Sequence, residues 1–396
     1  MRTRHHAMAA SLLVLALGAT AAAPSAASSP SPAGNGRALA VTAAQLRLPA
    51  PTGPYAVGES TVHLRDTGRA DPYVPEAGGR ELLASLFYPA RAGSGVPAPY
   101  MSAQEAELLL ESRGLGGLVE PGAVAATETY ARLGAAPARG RFPLIVLSPG
   151  FEQSRFTLTS LAADLASRGY VVAAVDHAYE STATVFPGGR ALPCAACDFV
   201  ERTGEAGMAE VARGRAVDVS FLLDRLAGGH PAWRHASMID RRRVAMAGHS
   251  IGGDAAASTM AADRRVRAGV NMDGAFYAPV PAAGLGGRPF MMLGTDAQHA
   301  PGGTTDTTWD RDWPRLDGWK RWLTVAGAGH FTFTDMPVLG AELGIEDPSA
   351  PLPADRSCRI TRDYVAAFFD LHLKGARQPL LAGPIPANPE VTFQRP

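Results

Sequence analysis

Between residues 142 and 326 short apolar runs alternate with longer stretches whose apolar residues recur at helical spacing. The runs are Phe142–Leu147, Tyr170–Val175, Arg243–Ala247, Val266–Met272, Pro289–Leu293 and Trp322–Ala326. Each has the length of a strand and is bounded by polar, Gly or Pro positions, so each reads as a strand buried on both faces. Between the first two, Leu161, Ala162 and Leu165 share one face of a helix over Thr159 to Arg168. After the second, Met208, Val211, Ala212, Val219, Leu222, Leu223 and Leu226 share the face of a longer one. Strand, helix and strand in succession are the signature of a parallel sheet with crossover helices. Upstream, Ser60–Asp66 and Arg80–Tyr88 read as an antiparallel pair feeding that sheet, and residues 98–135 as a helical stretch over one edge. No repeat interrupts the pattern and no linker follows residue 50, so residues 50–396 form one α/β domain.

The first residues change the picture at one end only. Arg2 and Arg4 precede an apolar stretch from about Ala7 to Leu17, followed by small residues suited to cleavage. Residues 1–28 therefore read as a secretory signal, the apolar run being too short for a membrane anchor of about 20 residues. Residues 29–49 read as a disordered lead-in, and the mature chain as extracellular with no stable membrane span. Lys+Arg and Asp+Glu balance at 37 each, which gives no field to attract nucleic acid or an anionic membrane. Of the three cysteines, Cys194 and Cys197, or Cys197 and Cys358, can pair in an oxidising compartment. The Cys194-Ala-Ala-Cys197 spacing lacks a thioredoxin-like surrounding, so a structural bridge is the better reading.

Chemistry concentrates at the carboxyl ends of the strands, where open parallel sheets bind their ligands. Gly248-His-Ser250-Ile-Gly252 follows the third run, and glycine two before and two after a serine allows a strand to turn into a helix sharply enough to expose the hydroxyl. With 43 glycines such a spacing arises by chance in about a quarter of chains of this composition, so the motif needs partners. Asp273, Asp296 and His330 follow the next three runs. The order Ser, Asp, His belongs to the α/β-hydrolase fold among folds that carry such a triad. Ser250 is then the nucleophile and His330 its base, since a hydroxyl needs an imidazole to take its proton at neutral pH. Position alone favours Asp296 over Asp273 as the acid. The backbone N–H of Ile251, at the start of the following helix, is one oxyanion donor, and that of Phe151, after Ser148-Pro149-Gly150, is the second. Asp176-His177 reads as a hydrogen-bonded structural pair. Trp309, Trp313, Trp319, Trp322, Phe276, Tyr277, Phe331 and Phe333 either wall an acyl pocket or pack the core. No metal-ligand spacing or phosphate-cradling loop is present, and neither cofactor nor metal is expected.

The blocks LFYPA (86–90), LSPGFEQSRFTLTSLAADLASRGYVVAAVDH (147–177), GHSIGG (248–253), MDGAFYAP (272–279) and GHFTFTD (329–335) resemble the secreted platelet-activating-factor acetylhydrolase family. They cover most of residues 80–340. The resemblance implies a serine ester hydrolase with Asp273 as the acid, acting on lipid esters with short or oxidised acyl groups. SPGF and GHFTFTD are also similar to bacterial polyester hydrolases and cutinase-like lipases, which gives the alternative reading. An acyltransferase would use the same triad while shielding the acyl-enzyme from water. A binding module that had lost catalysis would lack one of the three residues.

Overall fold

All six apolar runs are strands of one sheet in the computed structural model, which describes residues 45–345 and 347–395. The strands are β1 (Ala56–Asp66), β2 (Arg80–Ala90), β3 (Val96–Pro97), β4 (Ala131–Leu133), β5 (Phe142–Ser148), β6 (Val171–His177), β7 (Val185–Phe186), β8 (Arg190–Ala191), β9 (Ile239–His249), β10 (Val266–Met272), β11 (Phe290–Thr295), β12 (Lys320–Val325) and β13 (Val391–Phe393). The helices are α1 (Ala103–Ser112), α2 (Pro121–Ala125), α3 (Thr159–Ser167), α4 (Ala195–Thr203), α5 (Glu205–Ala227), α6 (Ile251–Ala262), α7 (Asp296–His299), α8 (Thr308–Asp312), α9 (Met336–Glu342) and α10 (Ala354–Lys374). Eleven described strands lie in the order β13-β12-β11-β10-β9-β5-β6-β2-β1-β4-β3, and β7 and β8 form a separate hairpin. From β6 through β12 every adjacent pair is parallel, while β2 joins β6 and β13 joins β12 antiparallel. This is the α/β-hydrolase fold, a mainly parallel sheet flanked by helices.

Side chains alternate across the pleat and so build a core on each face. Leu144 and Val146 of β5 point to one side, into a cluster with Val219 and Leu222 of α5 and Met260 of α6. Ile145 and Leu147 point to the other, against Leu161 and Leu165 of α3 and Tyr364 and Phe368 of α10. Each such leucine withdraws apolar surface worth about 2 kcal/mol from water. The seven apolar residues expected to share the face of α5 are all buried. β5 has β6 on one side and β9 on the other, so the chain order reverses there, and loops after β5 and β9 open into a shared crevice.

The antiparallel pair is longer than expected, with register from Ala56 opposite Ala90 to Asp66 opposite Arg80. The stretch 98–135 is helical only in part. Ser102 caps α1 and exchanges hydrogen bonds with Glu105, but Ala131–Leu133 is strand β4, paired in parallel with β1. The edge of β1 offers unpaired backbone groups, and satisfying them outweighs local helix preference. The disulfide joins Cys194 to Cys197, and Cys358 is a buried free thiol. Asp176 and His177 do not pair with each other. Asp176 binds Arg155, and His177 binds Ser148 and Asp218.

The expected signal at 1–28, and the lead-in as far as residue 44, lie outside the described residues. The end of that lead-in is corrected by the structure. Leu46 and Leu48 are buried with Tyr100, Leu109 and Phe156, and Leu48 N donates to Glu128 O at 2.9 Å. Two leucines separated by one residue point to the same side of an extended arm, so the packed domain begins before residue 50. Among the described residues no helix is long and apolar enough to cross a membrane. Leu48→Ala is expected to lower stability by about 2–4 kcal/mol, which urea unfolding measures directly. An unchanged midpoint would mean that the arm is dispensable.

Candidate active site

Strand β9 passes into α6 through one residue. Ser250 has φ 55° and ψ −126°, a left-handed conformation costly for a residue with a Cβ. The surrounding glycines admit it. A Cβ on Gly248 would come 2.1 Å from the Gly252 backbone, and one on Gly252 would come 2.1 Å from Ser148 O. The helix start is thereby pressed against both the strand before it and the β5 loop. Ile251 is the first residue of α6, where unpaired N–H groups and the helix dipole meet.

Asp273 follows β10 directly and also has positive φ, 59°. Its backbone is pinned beside the nucleophile turn, because Ser250 N donates to Met272 O at 2.8 Å and Asp273 N donates to Leu293 O at 2.9 Å. His330 Nδ1 lies 2.7 Å from Asp273 Oδ2. Asp296 lies elsewhere: its Oδ1 accepts from Thr324 Oγ1 at 2.9 Å and from Gln394 Nε2 at 3.4 Å, beyond β11. The positional expectation for Asp296 fails because β11 ends in a helical turn that directs this carboxylate toward β12.

His249 and His330 are adjacent, with ring centroids 4.7 Å apart. His249 Nε2 lies 2.7 Å from His330 O, so the imidazole donates there and ties the β12 loop to the residue before Ser250. Burial first, and the neighbouring His330 second, push the His249 imidazole down to about 3, which keeps it neutral. His330 keeps 35% of its side chain exposed, whereas Asp273 is fully covered. An exposed imidazole backed by a covered carboxylate suits proton transfer to a ligand in the crevice.

One contributor had no sequence signal. His299, at the end of α7, places Nε2 at 3.3 Å from Asp273 Oδ1 and Nδ1 at 3.0 Å from Asp306 Oδ2, within ion-pair reach though poorly aligned for hydrogen bonding. Its ring stacks on Trp309 at 3.9 Å. Burial lowers its proton affinity, but the two carboxylates more than reverse this and raise it to about 9. Burial alone would raise the Asp273 carboxyl, yet His299 and His330, with the Thr295 N–H on Oδ1 at 2.6 Å, hold it well below the usual carboxylate range. The carboxylate is thus ionised and fixed from both sides.

Of the aromatic residues offered as a pocket wall, Trp309, Trp322, Phe276 and Phe333 are core. Trp313 packs against Trp322, and Trp319 lies on Phe368. Half-exposed residues remain beside the site: Tyr277 and Phe151 pack with Ile251, and Phe331 lies next to His330.

A second Ser–His–Asp arrangement sits below the crevice. Ser148 Oγ is 3.2 Å from His177 Nε2, and His177 Nδ1 is 2.7 Å from Asp218 Oδ2. All three residues are buried, with Ser148 and Asp218 at 0% exposure and His177 at 2%. Arg215, also buried, donates to Ser148 Oγ at 3.1 Å. The hydroxyl therefore turns its proton to His177 Nε2, and His177 donates from Nδ1. With no solvent-facing side, this set has no room for a carbonyl substrate. The same enclosure argues against a cation at His177, Glu180 and Asp218, since the guanidiniums of Arg80 and Arg215 already fill those carboxylates.

The family described as platelet-activating factor acetylhydrolase, isoform II, matches residues 40–188 and 230–345. The chain belongs to that family. It is 28% identical to a probable 1-alkyl-2-acetylglycerophosphocholine esterase of Arthroderma benhamiae, over 87% of this chain and 93% of that one. It is 23% identical to the platelet-activating factor acetylhydrolase of Canis lupus familiaris, over 50% of this chain and 51% of that one. Among solved structures it is similar to the ferulic acid esterase from Streptomyces cinnamoneus, with TM-score 0.77 and 43% identity, covering 89% of this chain and all of that one. Membership makes the chain a serine carboxylic-ester hydrolase with a Ser-Asp-His triad, as the motifs implied.

The charge on His299 has a measurable consequence. A buried histidine whose proton affinity rises from 6.5 to about 9 on folding stabilises the fold fully below pH 6.5 and loses that contribution as pH climbs through 9. Stability is expected to fall by up to roughly 3 kcal/mol between pH 6 and pH 10, with much less of a fall in His299→Gln, when denaturant midpoints are compared. Parallel curves for the two proteins would refute a charged His299.

Proposed function

We propose that Ser250 is the nucleophile, His330 the general base and acid, Asp273 the carboxylate that orients it, and the N–H groups of Ile251 and Phe151 the oxyanion hole. The observation that carries this reading is the 2.7 Å contact of Asp273 Oδ2 with His330 Nδ1, beside the strained turn at Ser250. An Nδ1–H given to Asp273 leaves Nε2 of the neutral ring with a free lone pair, which is the tautomer a base needs. Nε2 takes the Ser250 proton as Oγ bonds to the ester carbonyl carbon, and the two amides hold the resulting oxyanion. The C–O bond to the alcohol then breaks, and the alcohol leaves with the proton from Nε2. Water, deprotonated by the same nitrogen, attacks the acyl-enzyme and releases the acid and Ser250.

The substrates proposed are lipid esters with short or oxidised acyl groups, acted on outside the cell after removal of residues 1–28. The family match and the fungal and canine relatives support the lipid class. A second reading, esters of ferulic acid, is favoured by the 43% identity to an esterase of that name. The half-exposed rings of Phe151, Tyr277 and Phe331 beside the turn suit an aromatic acyl group.

One set of assays ranks these readings and tests the triad. Asp273→Asn is expected to lower kcat about 1,000-fold or more, because the amide favours the wrong tautomer, while Asp296→Asn stays within about threefold. Equal, mild losses would defeat the assignment. On the unmodified enzyme, a higher kcat/KM for an acetyl phospholipid than for methyl ferulate supports the lipid reading, and the reverse order supports the second.

A further inference from the structure

An oxyanion hole needs its second N–H aimed with the accuracy of the first. Ile251 has the rigid start of α6 behind it. Phe151 lies in a loop, yet this loop rests on a buried guanidinium. Arg215 projects from α5, where Val211, Ala212, Val219 and Leu222 make the same face apolar. Its Nη1 donates to Pro149 O at 2.5 Å and to Ser148 Oγ at 3.1 Å, and its Nη2 lies 3.5 Å from Gly150 O, which also accepts from Gln153 N at 3.3 Å. In a trans peptide the C=O and the following N–H point in opposite directions. Turning the Gly150 carbonyl toward Arg215 therefore turns the Phe151 N–H away from it.

The peptide on the other side of Phe151 is held by the same group of residues. Glu152, at φ 64°, donates its N–H to Glu180 O at 3.0 Å, and the Glu180 carboxylate accepts from Arg215 Nε at 2.7 Å. The charges close into a ring. Arg80 joins Glu180 at 2.5 Å to Asp218 at 2.8 Å, Asp218 joins His177, His177 joins Ser148, and Ser148 returns to Arg215. Burial alone would raise the Glu180 and Asp218 carboxyls, but the guanidiniums, together with His177, reverse this and lower both. Three guanidiniums, Arg69, Arg80 and Arg215, face three carboxylates, Asp71, Glu180 and Asp218. Such a network adds little net stability against an apolar core but imposes one geometry.

We infer that Arg215 is a positioning residue for ester hydrolysis: by holding the Pro149 and Gly150 carbonyls it aims the Phe151 N–H at the developing oxyanion. The inference rests on the proposed role of Phe151. It accounts for the second Ser–His–Asp set as part of a scaffold under the oxyanion loop. Arg215 lies between the two segments that match the family.

Arg215→Lys keeps the charge opposite Glu180 and so the fold, but an ammonium lacks the fork that spans two carbonyls. With a p-nitrophenyl acetate assay it is expected to lose about tenfold in kcat with KM within about threefold, and a trifluoromethyl ketone, which binds as an oxyanion, should weaken by a similar factor. Arg215→Met/Glu180→Gln removes both charges, keeps the Glu180 carbonyl, and should lose about 100-fold in kcat with the same split. A KM effect alone, or kcat and ketone affinity kept in Arg215→Lys, would overturn the inference. Ser250→Ala is assayed beside them. Residual activity there defeats the proposed nucleophile, whereas an inactive Ser250→Ala with an unaffected Arg215→Lys defeats the positioning role alone.

Discussion

The passage from β9 to α6 through a single left-handed residue is the constraint on which the site depends. A serine at φ 55° is tolerated because two glycines let the helix start, the strand end and the Ser148 carbonyl occupy nearly the same space. That crowding brings the β5 loop, which carries Phe151, against the first turn of α6, which carries Ile251. Hydrogen bonds from Ser250 N to Met272 O and from His249 to His330 O then bring the ends of β10 and β12 to the same point. Strain at one residue is thus repaid by contacts among four strand ends.

Two histidine–aspartate pairs stand near a serine, and burial separates them. In one, the imidazole is partly exposed and its carboxylate is clamped between two histidines. In the other, every member is sealed beneath the loop that follows β5 and hydrogen-bonded into a ring of guanidiniums and carboxylates. The histidine–carboxylate distance is 2.7 Å in both, so exposure is what distinguishes them. Distance alone does not identify a catalytic triad; access to the hydroxyl must be added.

The parallel sheet was legible because its strands are near-continuous apolar runs, and with it the placement of Ser250 after β9 and of His330 after β12. Which carboxylate meets the His330 imidazole was not legible from spacing. Asp273 and Asp296 both follow strands, and the difference lies in whether the chain next adopts a left-handed turn beside Ser250 or a short helix directed at Thr324. His299 escaped notice because its contact with Asp273 exists only once α7 folds back over β11. Arg215 and Asp218 did leave a trace, since charged residues at i and i+3 interrupt the apolar face of α5. An unpaired charge there would cost several kcal/mol, so the interruption itself calls for buried partners. The strand β4 was missed because the edge of β1, not its own composition, determines its state.

The central claim is that the hydroxyl at the β9–α6 turn is the one that bonds to substrate, with His330 beside it and the amides of Ile251 and Phe151 around the oxyanion. A crystal structure of the protein after reaction with an alkyl phosphonate tests all of this in one map. The account predicts phosphorus on Ser250 Oγ, a phosphoryl oxygen within about 3 Å of both amide nitrogens, and His330 Nε2 within hydrogen-bond reach of Ser250 Oγ or the phosphonyl group. Phosphorus on Ser148, or on Ser250 with its oxygen turned away from Phe151 N and Ile251 N, would contradict it.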